Sequence, residues 1–518
     1  MGMRVYLIVL IVLFSCKTST TFSQTNSPHL QYELSIPQPE NHTYHLEFTI
    51  SHWNQDTICL KMPNWMPGYY QMMEYYKDLE NISAQDQHGA PLPVERMNDN
   101  TWRISGIGSR AFTVGYTIRT HRTFVANSYV DADHAYLVPG NTFLYVDGLL
   151  QVPVSVKMKI DPDWEFATGL DPVIGKPEVF AASDFDLLYD CPILIGDLDE
   201  LPAFKVKGIN HRFIGYKMGQ FDRELFMNNL KKVVEAAVDI MGEIPYQQYT
   251  FIGIGPGRGG IEHLNNTTVS FDGSGLDSPA GMNRMMGFLA HEYFHHYNVK
   301  RIRPYELGPF DYDHGSRTNL LWISEGFTVY YESLILKRAG LIDTETMLSQ
   351  LAENLNEYEN DPGRMYQSLS QASYNTWEEG PFGNFGTGPD RSISVYTKGA
   401  IVGMLLDFEI RYASGNHKSL DDVMRSLYWK YYIQEKRGFT DAEFQFACEQ
   451  AAGISLANLF EYVYTTEELD YAKYLGQVGL RIDRQVNDSN DKAQRLMIKR
   501  LANPTPLQSS LLSSWLGE

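Results

Sequence analysis

Residues 291–295 read His291-Glu292-Tyr293-Phe294-His295, two imidazoles four positions apart with a carboxylate beside the first. Apolar residues at helical spacing around them predict a helix over 283–299. Positions four apart lie one above the other on a helix face, so both rings can reach one ion. A zinc ion so held stands about 2.0–2.1 Å from each ring nitrogen. Glu292 sits one residue round the helix, close enough to take a proton from a water on that ion without being a ligand. Zinc lowers the pKa of such a water towards about 7, which makes the transfer feasible at neutral pH. The competing reading is a solvated His/Glu helix face, and a third ligand decides between them.

Two residues compete for that place. His314 lies in a polar loop, Asp311-Tyr312-Asp313-His314-Gly315-Ser316. Glu325 lies in Leu321-Trp322-Ile323-Ser324-Glu325-Gly326-Phe327-Thr328, at the start of a helix expected over 323–339. Loops position ligands less rigidly than helices do. An unpaired carboxylate among apolar flanks is costly to bury, and a metal removes that cost. Glu325 is therefore the expected third ligand. His296 points elsewhere on the helix, and Glu332, two turns after Glu325, is placed to orient a ligand by a hydrogen bond.

Elements that could hold such a site are legible on both sides of it. From about Tyr32 to Phe213 short alternating runs recur, Tyr44 to Ile50 and Val154 to Ile160 among them, with Gly, Pro, Asn and Asp between. They predict an all-β, sandwich-like domain. The pattern changes near Phe221: Leu225, Leu230, Val233, Val234, Ala237 and Ile240 recur at helical spacing, with Gly242 as a stop. A strand over 249–254 follows, then helices over 343–357, 396–414, 418–433 and 440–452. The expected organisation is a signal segment over 1–24, a β-rich domain over 25–214, a catalytic domain over 215–475 and a short tail over 476–518. The tail restarts short strands and is too small for a secure core of its own.

The bulk of the chain sets limits. At 518 residues, more than one domain is expected. Hydrophobic residues are 43%, charged residues 20%, and 33 Tyr with 26 Phe give ample surface to bury, which excludes disorder. A net charge of −20 argues against a nucleic-acid partner, which needs a basic face. Arg4, the apolar run Val5 to Phe14 and the polar stretch Ser15 to Gln24 have the order of an export signal. Leu13-Phe14-Ser15-Cys16 is similar to a lipobox, which would leave a lipid on Cys16, whereas Thr21-Phe22-Ser23-Gln24 suits soluble release. Either route places the protein in the periplasm or at the cell surface, and no later segment is long and apolar enough to span a membrane. Cys59, Cys191 and Cys448 are scattered and odd in number, so neither a disulfide framework nor a cysteine zinc site is expected.

The run His291 to Pro304, together with LWISEGFTVYY over 321–331, resembles the glycyl aminopeptidase family of zinc peptidases, related to the aminopeptidase N clan. The resemblance implies an α+β multidomain fold: an N-terminal β-sandwich-like domain, then a thermolysin-like, helix-rich zinc peptidase domain. It implies Zn²⁺ on His291, His295 and Glu325, with Glu292 as the base. Gly259-Gly260-Ile261-Glu262-His263 resembles the family's GGLEH element, implying that Glu262 holds the substrate's free α-amino group. Glycines there let an extended backbone approach closely, and a carboxylate suits an ammonium. Val395-Tyr396-Thr397-Lys398-Gly399 resembles the clan's YxKG element, whose tyrosine donates to the oxyanion. Asn64 to Tyr70 resembles the family's W-x-PG-x-Y signature. Two departures stand out: the tail is too short for the family's usual PDZ domain, and Val395 replaces a second aromatic before the tyrosine.

The implied activity is removal of small N-terminal residues, Gly or Ala, from peptides with a free N-terminus. The rivals are a zinc endopeptidase, an inert peptide-binding protein on the same fold, and hydrolysis of another amide or epoxide in the same cleft.

Overall fold

The computed structural model describes residues 28–108, 111–121, 123–380, 382–383, 389–486 and 494–518. The export signal expected over 1–24, with Cys16 in it, lies outside them. Among the described residues no helix is long and apolar enough to cross a membrane.

The alternating runs form strands because every second side chain can be buried. In Thr43–Ser51 the buried side chains include Tyr44, Leu46, Phe48 and Ile50. This strand lies inside an eight-stranded sheet, between His29–Ser35 and Phe112–Arg119. Two four-stranded sheets pack against it, one around Thr57–Lys61 and Thr101–Ser105, the other around His134–Leu137 and Ile193–Gly196. One apolar core joins all three through Tyr32, Phe48, Leu60, Trp102, Leu137 and Ile195. The layers are sandwich-like.

A further sheet carries the site. Its strands run in the order Asp199–Glu200, Ile209–Gly215, Gln248–Gly253, Asn266–Val269 and Gly260–Glu262. The middle three are parallel, and Gly260–Glu262 closes the edge antiparallel to Asn266–Val269. The boundary expected after residue 214 thus falls inside the strand Ile209–Gly215. Short alternating strands read alike whichever sheet they join, so periodicity could not divide them.

Helices pack behind this sheet. Arg223–Met241 begins on Asp222, whose carboxylate accepts from the Leu225 amide, and ends at Gly242 with φ +91°. Its buried stripe includes Phe226, Leu230, Val233, Val234, Ala237 and Ile240, whereas Leu225 is exposed. The helices expected near 323–339, 343–357, 396–414, 418–433 and 440–452 are present with shifted ends, and 322–326 and 428–435 are wound as π-helix. Helices Leu369–Glu379, Ala457–Tyr464, Tyr471–Gln477 and Pro506–Leu516 were not anticipated from periodicity.

The described residues of the tail share the core of the helices. Leu480–Val486 and Gln494–Arg500 pair as a hairpin, and Leu496 and Ile498 join the same apolar cluster as the helices above. Pro506–Leu516 sends Trp515 fully into that cluster. The Trp515 indole N–H donates to the Tyr330 hydroxyl at 2.8 Å, which donates to Asp407 at 2.6 Å. Asp407 also accepts from Arg411 at 3.0 Å. Buried polar groups are satisfied here by one another, so the last helix is bound to the elements behind the site.

Replacing Trp515 by Ala is expected to destabilise the protein by about 3–5 kcal/mol, from lost burial and the cavity left behind. Equilibrium denaturation in urea checks this. An unchanged midpoint would mean that the last helix does not belong to the folded core.

Candidate metal centre

The helix Pro279–Phe294 starts on Ser278, whose hydroxyl accepts from the Gly281 amide at 3.1 Å, with Pro279 at the first turn. His291 and Glu292 lie in its last turn and His295 caps it. It stops earlier than the expected 299 because the chain turns sharply through 295–301, with the Lys300 amide donating to the His295 carbonyl at 3.1 Å. That turn brings Asn298 back beneath His295.

His291, His295 and Glu325 each offer one ligand atom, and these atoms lie within 4.8 Å of one another. The two Nε2 atoms are 3.0 Å apart, and a Glu325 oxygen lies 3.3 Å from that of His295 and 3.9 Å from that of His291. His295 Nδ1 lies 2.8 Å from the Asn298 carbonyl. A carbonyl can only accept, so Nδ1 carries a proton and Nε2 is the nitrogen that faces the shared point.

The Glu325 side is arranged by the same asparagine. Trp322–Gly326 is a π-helical turn, which leaves carbonyls without their usual partner. The Asn298 side-chain amide donates to the Ile323 carbonyl at 2.9 Å, to the Ser324 carbonyl at 3.1 Å and to the Thr328 hydroxyl at 3.1 Å. One residue therefore holds His295 with its backbone and the Glu325 turn with its side chain. Nothing in residue type or spacing had singled out Asn298. His314 stands exposed with its ring on Asp311, and His296 is buried among Tyr246, Tyr293 and Tyr297. Neither joins the cluster. A Glu332 oxygen lies 3.8 Å from His291 Nδ1.

The remaining candidates converge on the same place. An added Cβ at Gly260 would meet the Glu292 carboxyl carbon at 2.7 Å, so bare backbone of the edge strand lies against Glu292. Gly259 has φ +89°, a conformation that favours glycine. Glu262 is buried at the end of that strand, and an added Cβ at Gly68 would lie 2.9 Å from one of its oxygens. The β-rich half therefore reaches the site through the loop 64–70. In that loop Tyr70 is buried, and its phenol is raised well above its ordinary pKa by burial and then by the Glu325 and Glu262 carboxylates.

Tyr396 is delivered by glycines. The helix Val395–Ala413 lies against the π-helical turn, and an added Cβ at Gly326 would sit 2.4 Å from the Gly399 Cα. Side chains at these two positions would push the helix away. With none there, the Tyr396 ring stacks over His291 with centroids 6.1 Å apart. Its phenol is raised well above its ordinary pKa by burial, then by Glu325, Tyr70 and Glu262, so it remains a donor at neutral pH. Lys398 points away, its ammonium over the Tyr358 ring, and burial lowers it to about 8.

Electrostatics favour a cation here. Burial raises Glu292 well above its ordinary value; His295 offsets this in part, while Glu262, Glu325 and Glu332 add to it. Burial also raises Glu262, and Glu325 adds to that against the pull of His295 and Lys300. Burial alone would depress His295, yet Glu325, Glu262 and Glu292 overcome it and carry the imidazole up to about 10. Burial and then His295 hold His291 well below the usual value. Two imidazole nitrogens and one carboxylate, with further buried carboxyl groups around them, match the donor set of a catalytic zinc.

Asn298→Ala is expected to weaken zinc binding by about 10- to 100-fold, because it removes the side-chain amide that holds the Glu325 turn while the backbone carbonyl stays on His295. Competition against a chelating dye measures this. Unchanged affinity would mean that the π-helical turn holds Glu325 unaided.

The comparisons with known proteins agree with this architecture. The family model for the peptidase M61 N-terminal domain matches residues 31–197, and that for M61 glycyl aminopeptidase matches residues 284–402. No curated protein matches the chain. Among solved structures, an aminopeptidase N family protein from Idiomarina loihiensis superposes with a TM-score of 0.83 at 27% identity, over 90% of this chain and 81% of that one. An M1 zinc metallopeptidase from Deinococcus radiodurans shares the fold with a TM-score of 0.52 at 12% identity, over 85% of this chain and 94% of that one. The same metallopeptidase in a substituted form, bound to a Tyr-Ser-Ala substrate, gives the same TM-score. The matched models together span more than half of the sequence and meet on the two halves that build the site: the chain is a peptidase of the M61 glycyl aminopeptidase family.

Proposed function

We propose that the protein is a zinc aminopeptidase that removes N-terminal residues, small ones such as Gly or Ala, from peptides with a free amino terminus. The observation that carries this reading is the convergence of His291, His295 and Glu325 on one point, with the Glu292 and Glu262 carboxyls close beside it. The three ligands would hold Zn²⁺. When bound, zinc supplies Lewis acidity, which polarises a scissile carbonyl and makes water more acidic.

The chain's own residues do the rest. Glu292 takes the proton of the attacking water and passes it to the leaving amine. The Gly260 backbone standing against its carboxyl holds it in place for both transfers. Tyr396 donates its hydroxyl to the oxyanion as charge develops there. Glu262 accepts from the substrate's ammonium, a charge-assisted hydrogen bond that fixes the cleavage register at the first residue. Gly259 and Gly260 leave bare backbone for an extended substrate. The preference for small first residues rests on the family resemblance. The order of charged, apolar and polar residues before Gln24 supports export, with release in soluble form or with a lipid on Cys16.

Kinetics with an alanine-releasing reporter test the reading. Chelation should abolish turnover and zinc should restore it. Glu292→Gln should lower kcat by at least about 100-fold with zinc content per chain unchanged. N-acetylation of the reporter should prevent cleavage. Full activity in Glu292→Gln would exclude the mechanism, and equal cleavage of the acetylated reporter would make the enzyme an endopeptidase.

A further inference from the structure

The strand that ends in Glu262 is three residues long and, among the described residues, paired along one side only, with Gly260 opposite Val269 and Glu262 opposite Thr267. So short an edge strand does not fix its own end; the turn that follows must be tied down. The ties come from elsewhere in the chain. Asp190, just after the helix Phe185–Tyr189 in the β-rich half, accepts from the Leu264 amide at 2.6 Å. Its other oxygen lies 3.2 Å from His263 Nδ1 and 2.5 Å from Lys300 Nζ. The side chains of Asp190, Lys300 and His263 are only 7, 7 and 1% exposed. The Asp190 carbonyl accepts from the Asn266 amide group at 3.3 Å, and Gly169 from that of Asn265 at 2.9 Å. Arg301 donates to the Leu264 carbonyl at 2.9 Å.

Asp190 thus stands where three parts of the chain meet: the β-rich half, the turn after Glu262, and the segment that follows His295. Burial opposes its charge, yet Lys300 and His263 hold the carboxyl below its ordinary value. A buried carboxylate with three partners on two other segments has one geometry in which all are satisfied.

We infer that Asp190 is the positioning residue that sets how far Glu262 stands from the metal centre, so that the β-rich half takes part in reading the substrate's free amino group. The inference rests on the reading of Glu262 as the carboxylate that holds the amine. Asp190 itself touches neither substrate nor metal. It acts on the two residues that follow Glu262, His263 through the ring and Leu264 through the amide. Lys300, held by the same carboxylate, lies close enough to favour the ionised form of Glu262.

The test compares two double variants of the full-length zinc enzyme, both lacking the Lys300 charge. Asp190→Asn with Lys300→Met keeps an oxygen for the Leu264 amide; Asp190→Ala with Lys300→Met does not. The readout is KM and kcat for an alanine reporter with a free amine, and the ratio of its kcat/KM to that of the N-acetylated form, at equal zinc content. Relative to the Asn variant, the Ala variant should raise KM roughly tenfold and lower the ratio by a similar factor, the cost of a carboxylate displaced by a fraction of an ångström. A merely structural role would lower the melting temperature and the active fraction and leave KM and the ratio alone. That result overturns the inference. Should the Ala variant fail to fold, Asp190→Glu, which keeps charge and acceptor but shifts them by a methylene, should raise KM at near-constant kcat; an unchanged KM overturns it. If the unsubstituted enzyme cleaves free and acetylated reporters alike, the reading of Glu262 falls and the inference with it. If that enzyme discriminates and the Ala variant does so equally, only the role of Asp190 falls.

Discussion

Two imidazole nitrogens 3.0 Å apart, with a buried carboxylate oxygen 3.3 Å from one of them, form an arrangement suited to a shared cation. The rest of the site follows from keeping those atoms there. The Asn298 carbonyl fixes the tautomer of His295, and its side-chain amide accommodates the widened turn that presents Glu325. Gly326 and Gly399 let the Tyr396 helix lie flush against that turn, and the bare backbone of Gly260 lies against Glu292. Each is a case of one element being held by what another lacks or leaves unpaired.

The site is shared between the two halves of the chain. The loop 64–70 brings Gly68 against Glu262 and buries Tyr70 beside Glu325, while Trp65 and Tyr70 pack on Trp377 from the helical half, with centroids 4.9 and 6.5 Å apart. The Trp65 indole donates to the Asp311 carbonyl at 2.7 Å. Asp190 makes a second bridge, to the turn after Glu262 and to Lys300. The β-rich layers are therefore part of the wall of the cleft, and their docking bears on the chemistry as well as on stability.

Much of this was legible in the sequence, for identifiable reasons. The pairing of His291 with His295 is local, one helical turn, so spacing alone could carry it. Glu325 was separable from His314 because a carboxylate among apolar flanks demands a partner. Tyr396, Glu262 and the glycines were readable only through family resemblance, since a lone tyrosine at a helix start or a Gly-rich turn has ordinary explanations. Asn298 and Asp190 were not legible at all. Their roles depend on contacts between segments far apart in the chain, and polar residues next to a motif look like any others. The π-helical turns also escaped, because a single inserted residue leaves the apolar period almost unchanged. The last helix escaped because Ser-rich text at 509–514 hides the apolar stripe of Leu511, Leu512, Trp515 and Leu516.

On this reading His291, His295 and Glu325 jointly grip one divalent cation. Anomalous diffraction from crystals of the zinc-loaded enzyme, collected on either side of the zinc absorption edge, tests it directly. A single strong peak is expected about 2.0–2.1 Å from both Nε2 atoms and about as far from a Glu325 oxygen. A peak bound through His314, or one at the two histidines with Glu325 turned away from it, would contradict the account.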